Sequence, residues 1–326
     1  MFLEDVVRGC GRVKEKFNVT GLCMPDRHYM SDISECLRAM KIYVDDGAYF
    51  TVNRARQYGK TTTLNALKRK LENEYTVFLI SFEGIEEEVF ADTGSFCVRL
   101  LGLLHDTLNF GEVSGIPEDI REELYQRSVG VSQEVSFRIF TNMLIRICQN
   151  ADKPVVLMID EVDQAGNYQV FATFLGVLRD MYLKRDTRPA FQSVILAGVY
   201  DIKNLKERIR PEKEGVSDSP WNIAADFEVD MSLSVKGIAY MLQMYENDHH
   251  TGMSIKVISE MIYDYTSGYP FLVSRICKLV DEVIAESEEF AGKSAAWTKE
   301  GIQAAIRKLL MERNTLFESL MGKIDS

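Results

Sequence analysis

Along this chain the apolar positions alternate between two periods. "AYFTVN" (48–53) is a short apolar run, and after it Leu64, Leu67 and Leu71 recur at i, i+3 and i+7, the spacing of one helix face. A second run, "YTVFLISFEG" (75–84), precedes a long helical region from about Phe96 to Gln149 that is broken by "NFGEVSGIPED". "KPVVLMIDEVD" (153–163) is continuously apolar between Pro154 and an acidic cluster, as suits a central parallel strand buried on both faces. Phe171, Phe174, Leu175 and Leu178 mark an amphipathic helix, and "FQSVILAGVYD" (191–201) is another buried strand. In "FEVDMSL" (227–233), Phe227, Val229, Met231 and Leu233 alternate with polar partners, which predicts a strand near a sheet edge.

Strand and helix alternating over 47–233 predict an α/β fold, a parallel sheet with crossover helices. Beyond Ser234 the period is helical throughout: Ile258, Met261, Ile262 and Tyr265 share one face, Leu272, Ile276, Leu279 and Val280 a second, Ile302, Ile306, Leu309 and Leu310 a third. The expected organisation is an N-terminal segment, 1–46, packing on the core, an α/β core at 47–233 and an all-helical domain at 234–326. In the first segment "GLCMPDRHYMSD" reads as a loop before the helical stretch "ISECLRAMKIYVDD".

At 326 residues and 46% hydrophobic content the chain can bury a sizeable core. A net charge of −11 supplies no global field toward nucleic acid or anionic membrane. The basic-rich stretch "KNLKERIRPEKEG" (203–215) is diluted by glutamates and lacks aromatics for base stacking, so it reads as a solvated face. Six scattered cysteines form no Cys-x-x-Cys pair, and adjacent His249 and His250 point apart on a helix, so zinc is not expected. Without a signal-like apolar run near the N-terminus or any stretch of ~20 apolar residues, a cytoplasmic protein is expected, with no membrane partner.

The candidate chemistry begins at "NRARQYGKTTTL" (53–64). Phosphates need inward backbone N–H groups, a helix N-terminus, a cation and a hydroxyl able to ligate Mg²⁺. Gly59 permits close backbone approach, Lys60 supplies charge and Thr61 the hydroxyl, within a loop whose Arg54, Arg56, Gln57, Tyr58 and Thr62 are further nucleotide-binding candidates. Arg54 stands where the full G-x-x-x-x-G-K-[ST] pattern has its first glycine. Asp160 follows Lys60 by 100 residues and, with Glu161, ends the apolar strand where an open α/β sheet places its ligand crevice. Asp160 is the candidate for holding Mg²⁺ through its water shell and Glu161 the general base for an attacking water; Asp163 reads as a structural cap.

Together "NRARQYGKTTTL", "VVLMIDEVD", "SVILAGVYDIKNL", "SPWNIAADF" and "YTSGYPFLVSRIC" resemble AAA-like P-loop ATPases, related to the archaeal-type and STAND-like groups, over nearly the whole chain from about Phe17. The resemblance implies a P-loop NTPase fold, a parallel sheet sandwiched by helices, with the C-terminal helices forming a lid. It matches Gly59, Lys60 and Thr61 to the phosphate loop and Asp160 and Glu161 to the magnesium and catalytic acids, with Arg54 or Arg56 as phosphate contacts. The position of a polar sensor falls on Ala197-Gly198-Val199-Tyr200-Asp201, which has no Asn, Ser or Thr and puts that role in doubt. "GYP" at 268–270 matches a lid turn that makes Arg275 a candidate reader of the terminal phosphate. Arg179, Arg185 and Arg188 lie where oligomeric relatives keep an arginine finger, and Tyr29 is a candidate for stacking on adenine. The implied function is Mg-ATP binding and hydrolysis with nucleotide state passed through lid movement to a protein partner or a second copy of the chain. The alternative is a nucleotide-switched interaction module with little hydrolysis. Glu161 beside Asp160 favours water over a kinase acceptor.

Overall fold

The computed structural model describes residues 15–110, 113–129, 135–199, 223–225 and 230–312. A parallel sheet is built from β1 (Tyr49–Asn53), β2 (Thr76–Ser81), β3 (Val155–Asp160) and β4 (Ser193–Gly198), in the order β1-β4-β3-β2. Every residue of β3 and β4 is buried, in keeping with the nearly continuous apolar composition of inner strands. On the other side of β1, Ala225 pairs in parallel with Phe50, its N–H donating to the Tyr49 carbonyl at 2.8 Å.

Helices α1 (Ser34–Asp45), α2 (Lys60–Leu71), α3 (Glu87–Ala91), α4 (Thr93–Asn109), α5 (Glu118–Ser128), α6 (Phe137–Asn150) and α7 (Gln169–Leu183) accompany the strands. Leu64, Leu67 and Leu71 are buried, as their spacing predicts. The long helical region resolves into α4, α5 and α6, and Asp92 caps α4 by accepting from the Ser95 N–H at 2.7 Å. Phe82, Phe90, Phe96, Phe140, Phe171 and Phe174 join one aromatic core through tilted and edge contacts.

The described residues divide into two compact units. One takes residues 36–55 and 63–229 and holds the sheet; the other takes the described parts of 1–35, 56–62 and 230–326. The second contains α8 (Val235–His249), α9 (Ile255–Thr266), α10 (Pro270–Leu279) running into a π-helical turn at Val280–Ile284, α11 (Lys293–Ala296) and α12 (Lys299–Met311). Its division differs from the expected boundaries. Residues 15–35 belong with the C-terminal helices, because Phe17 and Tyr29 fill a core with Tyr245 and Trp297 at ring separations of 4.7–5.9 Å.

Two predicted helix faces shift. In α9 the buried stripe steps by four through Ile258, Ile262 and Thr266, leaving Tyr265 55% exposed. In α12 it runs through Ile302, Ala305 and Leu309, with Leu310 69% exposed. The predicted strand at 227–233 falls partly outside the described residues. Its described part is irregular chain, with Leu233 donating its N–H to the Gly268 carbonyl at 2.8 Å.

Candidate functional site

The strand order locates a crevice. From β1 the chain travels to β2 at the far edge, whereas from β4 it returns to residue 225 on the other side of β1. Connections therefore diverge between β1 and β4, and ligands of open α/β sheets bind at the carboxyl ends of strands at such a switch point. Asn53 and Gly198 are register partners there, and Arg54 extends the ladder by donating its N–H to the Gly198 carbonyl at 3.2 Å. The Arg54 guanidinium turns back to donate from Nη1 to the Asn53 carbonyl at 2.9 Å, and Asn53 Nδ2 donates to Thr51 Oγ1.

Beyond Arg54 the chain makes the loop that the sequence singled out. Arg56 and Gln57 are exposed, and two residues take left-handed backbone, Gln57 at φ 59° and Gly59 at φ 77°. The second explains the glycine, since only glycine adopts that region at no steric cost. Lys60 opens α2 and is buried, 5% exposed, while Thr61 beside it is exposed.

Residues 56–62 have fixed partners within the helical unit. The Tyr58 hydroxyl shares a 2.6 Å hydrogen bond with Ser232 Oγ, and its ring meets Tyr269 edge-on at 4.8 Å. The Tyr269 hydroxyl donates to the Arg56 carbonyl. Thr62 Oγ1 accepts from the Cys23 N–H at 3.2 Å. Tyr58 and Thr62 thus use their side chains to anchor the loop, which leaves their backbone N–H groups as what they could offer a nucleotide. Tyr269 lies in the Gly-Tyr-Pro turn. Gly268 has φ 72° and a Cβ there would lie 2.2 Å from the Leu233 carbonyl oxygen, and Pro270 opens α10 where its missing N–H costs nothing. Sequence reasoning found this turn without assigning its tyrosine, and the partners Cys23 and Ser232 left no local signal.

In the sheet unit β3 delivers the acidic pair. Asp160 is 3% exposed, its Oδ1 accepts the Glu161 N–H at 2.9 Å, and its carbonyl accepts from the Phe82 N–H. Glu161 has φ 53° and ψ 38°, left-handed backbone at a residue that is not glycine. Such positions cost about 1–3 kcal/mol and cluster at functional sites. Asp163 behaves as a structural strap, its Oδ1 accepting from the Val199 N–H at 3.1 Å. A Cβ at Gly198 would come within 2.9 Å of the same oxygen, so this crossing needs glycine. The sensor position reaches Val199 without a polar side chain, and Tyr200 and Asp201 lie outside the described residues, as do 203–215.

Other candidates take structural places. Tyr29 is 4% exposed, enclosed by Phe17 and Tyr245, with its hydroxyl donating to Asp248 at 3.0 Å. Burial, then the Asp248 carboxylate, pushes its pKa up. This corrects the expected adenine stacking, because the ring faces are spent in the helical core. Arg275 pairs with both carboxylate oxygens of Glu312 at 2.7 Å, which gives its guanidinium a structural partner in place of a phosphate. Arg185 donates to the Gly47 carbonyl and lies 4.1 Å from the Tyr182 ring centroid; Arg188 donates to Asp180; Arg179 keeps Nε buried. Among the described residues no cluster of three or more His, Cys, Asp or Glu could hold a metal ion, and no helix is long and apolar enough to cross a membrane. A magnesium site of the expected kind needs no such cluster, since a hydroxyl, a carboxylate and phosphate oxygens suffice.

The sequence profile of a family described as "AAA-like domain" matches residues 27–312. Among solved structures, the fold is similar to a Walker-type ATPase of Pyrococcus abyssi, with a TM-score of 0.58 and 13% identity over 95% of this chain and 78% of that one. It is also similar to the ADP form of the ORC2 protein of Aeropyrum pernix, with a TM-score of 0.50 and 11% identity over 91% of this chain and 73% of that one. No curated protein matches the chain in sequence.

Proposed function

The chain belongs to the AAA-like domain family, and on that premise we propose that it binds Mg-ATP and hydrolyses it to ADP and phosphate. The observation that carries this reading is the left-handed Glu161 beside the buried Asp160 carboxylate at the end of β3. A second supports it: Lys60 is the buried first residue of α2, which sets its ammonium at a helix N-terminus, where backbone N–H groups and the dipole favour an anion.

Lys60 and the N–H groups of residues 58–61 take the β- and γ-phosphates, with Arg54 and Arg56 as further cations on this path. Thr61 and Asp160 would hold Mg²⁺, which neutralises charge on the phosphate oxygens. Glu161 orients the attacking water and accepts its proton. Nucleotide state is then carried to the helical unit and to a protein partner or a second copy of the chain.

Single-turnover hydrolysis tests the reading. Lys60→Ala is expected to weaken ATP binding and lower turnover by about 100-fold or more. Glu161→Gln is expected to keep ATP binding while slowing hydrolysis by roughly 100- to 10,000-fold. Turnover unchanged in both variants removes the proposal. A second reading, a nucleotide-switched module that binds without hydrolysing, is favoured by the apolar sensor position through Val199. Tight calorimetric binding with no cleavage of bound ATP in a single turnover would select it.

A further inference from the structure

We propose that Tyr269 is a positioning residue for the phosphate loop, holding residues 56–58 in their phosphate-receiving conformation through its hydroxyl and its ring. The inference rests on the nucleotide-binding reading above and adds the group that sets the affinity of that loop.

Three observations converge on it. Gln57 adopts φ 59° although it carries a side chain, so its neighbours must impose that backbone. Both neighbours are tied to the same tyrosine: the Arg56 carbonyl accepts from the Tyr269 hydroxyl, and the Tyr58 ring packs edge-on against the Tyr269 ring at 4.8 Å. Tyr58 is itself pinned at its far end by Ser232 Oγ at 2.6 Å. Tyr269 in turn has little freedom. It precedes Pro270 at the start of α10, and it follows Gly268, whose lack of a Cβ lets the turn lie against the Leu233 carbonyl. Burial, followed by the neighbouring Tyr58, raises the Tyr269 pKa, so its hydroxyl stays a donor across the neutral range. The chain thus clamps the residues on both sides of a strained loop position with one side chain.

The clamp has a consequence that simple packing does not. If Tyr269 acts by enforcing the left-handed residue 57, a glycine there, which enters that region freely, makes the clamp dispensable. Tyr269→Phe keeps the ring contact and deletes only the hydrogen bond. It is expected to weaken ATP binding by about 3- to 10-fold, the range of one hydrogen bond. Adding Gln57→Gly to Tyr269→Phe is expected to restore most of that loss. Native-like affinity in Tyr269→Phe overturns the proposal, and so does a double variant that binds no better than Tyr269→Phe. Hydrogen exchange without nucleotide separates this from the parent reading: Tyr269→Phe is expected to speed exchange of the amides at 56–59 while those of α12 stay as in the native protein. Unchanged loop exchange overturns the clamp whether or not ATP binds. Faster loop exchange in Tyr269→Phe, together with a native protein that binds no ATP, retires the nucleotide reading and, with it, the assignment of phosphate positioning to Tyr269.

Discussion

Gln57 and Glu161 both stand in left-handed backbone, one in the loop and one after the buried aspartate. For a residue with a Cβ this conformation costs roughly 1–2 kcal/mol, so the site holds strain that glycine would release. Glu161→Gly is therefore expected to raise the urea unfolding free energy by about 1 kcal/mol while abolishing hydrolysis, whereas Glu161→Gln loses hydrolysis without gaining stability. Loss of stability in Glu161→Gly would show that contacts of the Glu161 side chain outweigh the backbone term. Glycines at close crossings behave oppositely. Gly268→Ala puts a Cβ 2.2 Å from the rigid Leu233 carbonyl at φ 72°, and a loss of about 3 kcal/mol or more is expected in chemical denaturation. Gly198→Ala, whose nearest obstacle is the end of the Asp163 side chain at 2.9 Å, is expected to cost less. The family resemblance could be read from five short stretches, among them those holding Lys60, Asp160 and Glu161, because motifs written in backbone turns and strand ends are local. Tyr29 and Arg275 were not legible, since their partners Asp248 and Glu312 lie 219 and 37 residues away.

Among elements, the strands were the most readable. β3 and β4 are apolar at nearly every position because both faces are covered. Helix faces were read to within a residue or two, failing at Tyr265 and Leu310, where the buried stripe passes through the adjacent Thr266 and Leu309 instead. The irregular segment 15–33 gave no periodicity from which to choose between cores, and its placement is carried by Phe17 and Tyr29 with Ile33 packed beside them. The end of α8 shows the same dependence on a single side chain. The Glu246 carboxylate accepts from the Thr251 and Gly252 N–H groups and the Thr251 hydroxyl. Burial raises its pKa, but these hydrogen bonds outweigh burial and the net shift is downward. A carboxyl with a depressed folded-state pKa stabilises above its unfolded pKa, and that contribution disappears as pH falls through the folded value. Glu246→Gln is thus expected to lose about 1 kcal/mol at pH 7, discounted for solvent screening, with the difference from the native protein closing under acid conditions. A pH-independent difference would assign the effect to shape instead of charge.

At the scale of the whole chain, loop residues 56–62 group with the helical unit although residues 55 and 63 on either side group with the sheet. A ligand that fixes this loop therefore acts on a segment owned by one unit and continuous in sequence with the other. ATP at a hundredfold excess over its Kd is expected to raise the unfolding free energy by about 2.7 kcal/mol. The distribution of that gain is the informative part. Because Arg56 and Tyr58 are bonded to Tyr269 and Ser232, protection from hydrogen exchange is expected in α10 as well as in α2, and Lys60→Ala should erase both. Protection confined to α2 would mean that nucleotide is bound without any change reaching the helical unit, leaving hydrolysis uncoupled from the helices. Protection reaching α10 with ATP and weaker with ADP would instead identify the γ-phosphate as the group the helical unit senses.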